Sequence, residues 1–94
     1  MPLRFEWNPN KAQKNIKKHG ISFDEATTVF SDPLSITYDD PDHSYSENRF
    51  IMIGLSSFGN FLFVSHVESN DVIRIISARR LTKKERKQYE QQNT

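Results

Sequence analysis

Residues 50–80 read FIMIGLSSFGNFLFVSHVESNDVIRIISARR. Three apolar runs, residues 50–55, 61–67 and 72–78, are rich in β-branched and aromatic side chains. Ser56-Ser57-Phe58-Gly59-Asn60 and Glu68-Ser69-Asn70-Asp71 separate them. Apolar runs of strand length joined by short turn-forming segments predict an antiparallel meander. Upstream, Leu34, Ile36 and Tyr38 alternate with polar residues, the pattern of one more half-buried strand. Asp39-Asp40-Pro41-Asp42-His43-Ser44 is a loop by composition.

The helices lie outside this block. Phe5 and Trp7 read as a short opening strand, after which Asn8 caps a helix with Pro9 in its first turn. That helix is expected to end at Lys18 or His19, before Gly20. Its buried side is thin: Ala12 and Ile16, with Asn15 and His19 at the same helical spacing. Ser22 and Glu25 have capping-box spacing, with Ile21 and Ala26 placed as a staple. Phe23, Ala26, Val29 and Phe30 then give a stronger stripe that Asp32-Pro33 ends. Thr82 and Glu85 form another capping box and open a last helix whose apolar side is little more than Tyr89, so packing is expected to hold it weakly. The order is β-α-α-β-β-β-β-α. It predicts an α+β, two-layer domain spanning residues 1–94, an antiparallel sheet with two N-terminal helices on one face and a C-terminal helix.

Ninety-four residues support one modest core. The absence of cysteine removes disulfides, thiolate metal sites and cysteine nucleophiles together. No apolar run approaches the roughly 18 residues of a membrane span. Residues 1–7 lack the apolar stretch of a signal peptide. The expectation is a cytoplasmic protein with no membrane association. The net charge of +1 hides a segregation: residues 1–19 carry five bases and one acid, residues 20–73 one base and nine acids, residues 74–94 seven bases and two acids. Basic ends around an acidic middle make a polyanion-binding surface if the ends meet in space.

The densest chemical signal is Arg74-Ile75-Ile76-Ser77-Ala78-Arg79-Arg80. Regular alternation places Arg74 and Arg80 on one face and Arg79 on the other. Guanidinium forks suit phosphodiester oxygens. An arginine in an apolar strand is equally explained by a carboxylate partner that braces the fold. RNA cleavage without a metal needs a base for the 2′-OH, an acid for the departing 5′ oxygen, and cations on the phosphate. His19, at the end of a lysine-rich helix, and Glu68, in the turn after a strand, are acid–base candidates. His66 shares a strand face with Leu62 and Val64 and reads as a hydrogen-bonded core residue, while His43 sits in an acidic loop. The three histidines lack metal-ligand spacing, the aspartates lack the glycine and glutamate of a calcium loop, and the three glycines are isolated. No cofactor is expected.

Phe5-Glu6-Trp7-Asn8-Pro9, Lys11, Asn15 and Lys18-His19-Gly20-Ile21-Ser22-Phe23-Asp24-Glu25-Ala26 resemble the N-terminal signature of the BrnT family. Asp32-Pro33, Asp42-His43-Ser44, Arg49-Phe50, Ile53-Gly54 and the block from Arg74 to Arg79, with Glu85 and Tyr89, extend the likeness over nearly the whole chain. Asn8 stands where the family often has Asp, and Ser69 where a basic residue is expected. The resemblance implies a RelE-like fold and a ribonuclease toxin of a type II toxin–antitoxin module that inhibits translation. Its implied partners are RNA, a DNA-binding BrnA-like antitoxin in a hetero-oligomer, and the ribosome. It carries His19, Arg74, Arg79 and Arg80 as catalytic candidates, with Glu68 behind them; Lys17, Lys18, Lys83 and Lys84, from the basic ends, are the expected RNA contacts. The alternative is a non-catalytic nucleic-acid-binding or regulatory module using the same basic ends.

Overall fold

The computed structural model describes residues 3–40 and 48–93, so the predicted Asp42-His43-Ser44 loop lies outside the described residues. The elements follow the expected order: β1 (Arg4–Glu6), α1 (Pro9–His19), α2 (Phe23–Thr28), a short 3-10 turn (Val29–Ser31), β2 (Ile36–Asp39), β3 (Arg49–Leu55), β4 (Phe61–Ser69), β5 (Val72–Arg80) and α3 (Lys83–Gln92). Strands β2 to β5 form the antiparallel meander. β1 joins the outer edge of β5 in parallel, giving the order β1-β5-β4-β3-β2. A pairing between the two ends of the chain leaves no local signal, because neither strand's own pattern names its neighbour.

α1 and α2 cover one face of the sheet. Ile21, Phe23, Ala26 and Val29 pack there on Met52, Leu62, Val64, Ile73, Ile75 and Ala78. α3 lies on the other face and covers only part of it, where Tyr89 joins Ile51, Ile53, Phe61, Phe63 and Leu81. Asn8 caps α1 by accepting from the Asn10 and Lys11 amides, and Gly20 ends it at φ 71°. Ile16, expected on the buried side, is 49% exposed, whereas Asn15, expected on that side too, is buried. The Asn15 amide donates to the Ile21 and Ala78 carbonyls, each at 2.8 Å, and accepts from the Ala78 amide at 3.1 Å. Turning the helix to make those bonds rolls Ile16 outward.

β5 departs from regular alternation. Ile75 and Ala78 both lie in the core beneath the helices, although they are an odd three positions apart. His66 pairs with Ile75 while Ser65 pairs with Ser77, so Ile76 is an extra residue, a β-bulge. Beyond it the faces exchange. Arg74 and Arg79 therefore share the α3 side, and Arg80 falls on the α1–α2 side with Ala78. The predicted grouping of Arg74 with Arg80 against Arg79 is corrected by this one residue.

Candidate functional site

The α3-side face, covered around Ile51, Ile53 and Phe63 and open around Arg74, is built row by row across the strands. Arg49, Val67 and Arg74 form one row, with Glu6 of β1 beside Arg74. Tyr38, Ile51, Ser65 and Ser77 form the next, and Ile36, Ile53, Phe63 and Arg79 the third. Strand spacing sets Arg49 and Arg74 about 10 Å apart, and the four-residue step along β4 sets Arg74 and Arg79 about 13 Å apart. Arg74 and Glu6 border two clefts of about 320 and 380 Å³ at the β1 end of this face, one shared with Lys11 and the other with Val67 and Asn48.

Arg79 is tied down. Its guanidinium donates to both Glu85 oxygens at 2.8 and 2.9 Å and lies 3.9 Å from the centre of the Phe63 ring. The paired hydrogen bonds raise the Arg79 pKa and hold the Glu85 carboxyl below its ordinary value. Glu85 also completes the capping box on Thr82, so one carboxylate joins the strand to the helix. Burial, assisted by the charge of Glu85, raises the Tyr38 pKa and keeps its hydroxyl protonated. Arg79 is thus the brace that one of the two sequence readings anticipated, and it remains one-third exposed.

The other candidates lie elsewhere. Glu68 pairs opposite Ile73 at the end of β4, its carboxylate meets Nε2 of His66 at 2.9 Å, and it borders the same cleft of about 380 Å³ as Arg74. His66 is wholly buried against Phe30 and Phe50, the core histidine expected. Lys11 and Ile76 border one cleft, and Asn15 binds Ala78, so α1 runs alongside β5. Four residues of helix rise about 6 Å, close to two residues of strand, which brings half-buried His19 level with Arg80. Lys17 and Lys18 close α1, while Lys83 and Lys84 open α3 just past Arg80, all four exposed. The two basic ends of the chain therefore meet around β5. Arg49 and Tyr38 share the open face and escaped selection from sequence. Arg49 is the single base of the acidic middle, the one signal available for it.

Residues 7–85 match the family model described as the ribonuclease toxin, BrnT, of type II toxin–antitoxin systems. The chain belongs to the BrnT family. BrnT proteins are ribonuclease toxins, and membership in a type II system implies RNA as substrate and an antitoxin as partner. The crystal structure of the Brucella abortus ribonuclease toxin BrnT is similar to this chain, with a TM-score of 0.67 and 20% identity over 86% of this chain and 99% of that one. This likeness shows the mixed fold, a five-stranded sheet with three helices. None of the curated proteins matches the sequence.

Proposed function

We propose that this BrnT-family chain cleaves RNA without a metal, using the open face of the sheet, and thereby arrests translation until a BrnA-like antitoxin covers that face. The observation that carries the reading is the bulge at Ile76, which brings Arg74 and Arg79 to one face with Arg49 and Tyr38. Arg74 holds the scissile phosphate; Arg79, bridged to Glu85, stiffens the far end and offers its exposed third to the strand. Glu6, opposite Arg74 and on both clefts, takes the proton of the 2′-OH; the 2′ oxygen attacks phosphorus, the P–O5′ bond breaks, the departing oxygen is protonated, and a 2′,3′-cyclic phosphate and a 5′-OH remain. Guanidinium charge on the non-bridging oxygens lowers the barrier because it is fixed where negative charge accumulates. Tyr38, kept protonated, is the proton donor that this face supplies. His19, Arg80, Lys17, Lys18, Lys83 and Lys84 line the far end of β5 and track the RNA backbone. An acidic segment of the antitoxin, whose DNA-binding part lies elsewhere in a hetero-oligomer, is the occupant that competes with RNA.

The test is cleavage of a defined RNA by purified protein in excess EDTA, with and without ribosomes. Arg74→Ala is expected to lower the rate about 10²- to 10³-fold, and Tyr38→Phe about 10²-fold, both read on protein with native circular dichroism. Full cleavage by Arg74→Ala, with loss in His19→Ala, moves the reaction to the helix-covered side. RNA bound in a salt-dependent manner but never cut identifies the non-catalytic module instead.

A further inference from the structure

The turn between β3 and β4 is held far more firmly than a surface hairpin requires. Ser56 Oγ accepts from the Phe58 and Asn60 amides, each at 3.2 Å. It donates in turn to Glu25 Oε2 at 2.7 Å, and the Asn60 side-chain amide donates to that same oxygen at 2.7 Å. The Ser57 amide donates to Thr28 Oγ1 at 2.9 Å. Glu25, 5% exposed, spends its carboxylate here rather than closing the box on Ser22. What this rigid turn presents is Phe58, a phenyl ring 70% exposed. At its foot a cleft of about 210 Å³ is bordered by Asn60, Phe61, Arg80 and Arg86. The Arg86 guanidinium lies 4.2 Å over the Phe61 ring, and its ion pair with Glu90 is long, 3.7 Å, with both partners more than half exposed.

We infer that Phe58, Arg80 and Arg86 form a nucleotide subsite, in which a base of single-stranded RNA stacks on Phe58 and the adjoining phosphate sits between the two arginines. Stacking on an exposed ring is favourable only if the ring is held, since ordering it otherwise consumes the gain. The Glu25–Ser56–Asn60 network holds it beforehand. The two arginines set the ligand's charge as negative, and their position beside Lys83 and Lys84 continues the basic rim toward a polyanion. The inference rests on RNA being the ligand of this surface. It adds a binding element outside the open face, at the far end of β5 from Arg74, where it sets which stretch of RNA is presented for cleavage.

The probe is a fluorescent single-stranded RNA of about ten nucleotides, 2′-O-methylated so that it cannot be cut. Phe58→Ala and Arg80→Ala are each expected to weaken its binding about tenfold, with unchanged circular dichroism and melting temperature. Phe58→Trp should retain affinity, and its fluorescence should fall on addition of the RNA beyond the change the parent shows at Trp7. On a natural RNA, Phe58→Ala should redistribute cleavage sites, whereas Arg74→Ala should only slow cleavage. Parent-level affinity in both alanine variants, or an unresponsive Phe58→Trp, overturns the subsite while leaving cleavage on the open face intact. A parent chain that binds no RNA overturns both.

Discussion

Arg79 and Glu85 show how one pair of side chains serves two elements. The pair is bidentate and partly shielded, so removing Glu85 leaves a guanidinium two-thirds covered, over Phe63, without its anion. Glu85→Gln is expected to destabilise the domain by about 1–2 kcal/mol. Because the folded Glu85 pKa is depressed, its contribution is complete above the unfolded value of 4.5 and is lost as pH falls through the folded value. Asp32 acts in the same direction: burial works to raise its pKa, but the Leu55 and Leu34 amides and the Tyr89 hydroxyl outweigh it. Urea titrations of the parent should therefore show level stability from neutral pH down to about 4.5 and a fall below it. Glu85→Gln should flatten part of that fall. An equal fall in parent and variant would show that Glu85 is not bound as described.

At the scale of elements, α3 is held by side-chain tips more than by an apolar seam. Tyr89 donates its hydroxyl to Asp32 at 2.7 Å and packs edge-on against Phe61, Arg86 covers the same ring, and Asn93 donates to the Leu34 carbonyl. Burial and Asp32 raise the Tyr89 pKa to about 12, so its contribution is intact below the ordinary 10 and disappears as pH climbs from there to 12. Tyr89→Phe should lower the melting temperature at neutral pH and abolish most of that alkaline loss, read by thermal melts at pH 8 to 11. An unchanged alkaline slope would place the effect elsewhere. The helix was legible in Thr82 and Glu85, but its attachment was not, because Tyr89, Asp32 and Asn93 meet only after the chain has folded. The meander, the Asn8 and Gly20 boundaries and the core role of His66 were legible, each fixed by residues close in sequence. The bulge was not: Ile73, Ile75, Ile76 and Ala78 are apolar on either side of the slip, and nothing local marks Ile76 as the residue left over. That silence is why Arg74, Arg79 and Arg80 were sorted to the wrong faces.

For the whole molecule, the segregated charges of the sequence become a continuous basic flank once α1 lies beside β5 and α3 follows from it. Binding of single-stranded RNA should weaken with added salt, each neutralised phosphate contributing about 0.7 to the logarithmic slope. Lys17→Ala with Lys18→Ala should lower that slope by about 1.4 if both lysines reach phosphate, measured by anisotropy over a salt series. An unchanged slope would confine RNA to the open face and the turn. Asn15 has a consequence of another kind. β1 covers only the first residues of β5, so the later half of that strand forms a border of the sheet. The side-chain amide of Asn15 takes the N–H and C=O of Ala78, the two groups that a strand from a second molecule would seek. One residue thereby takes this pair of groups away from any incoming strand, and Asn15→Leu should favour concentration-dependent oligomers as well as a softer fold.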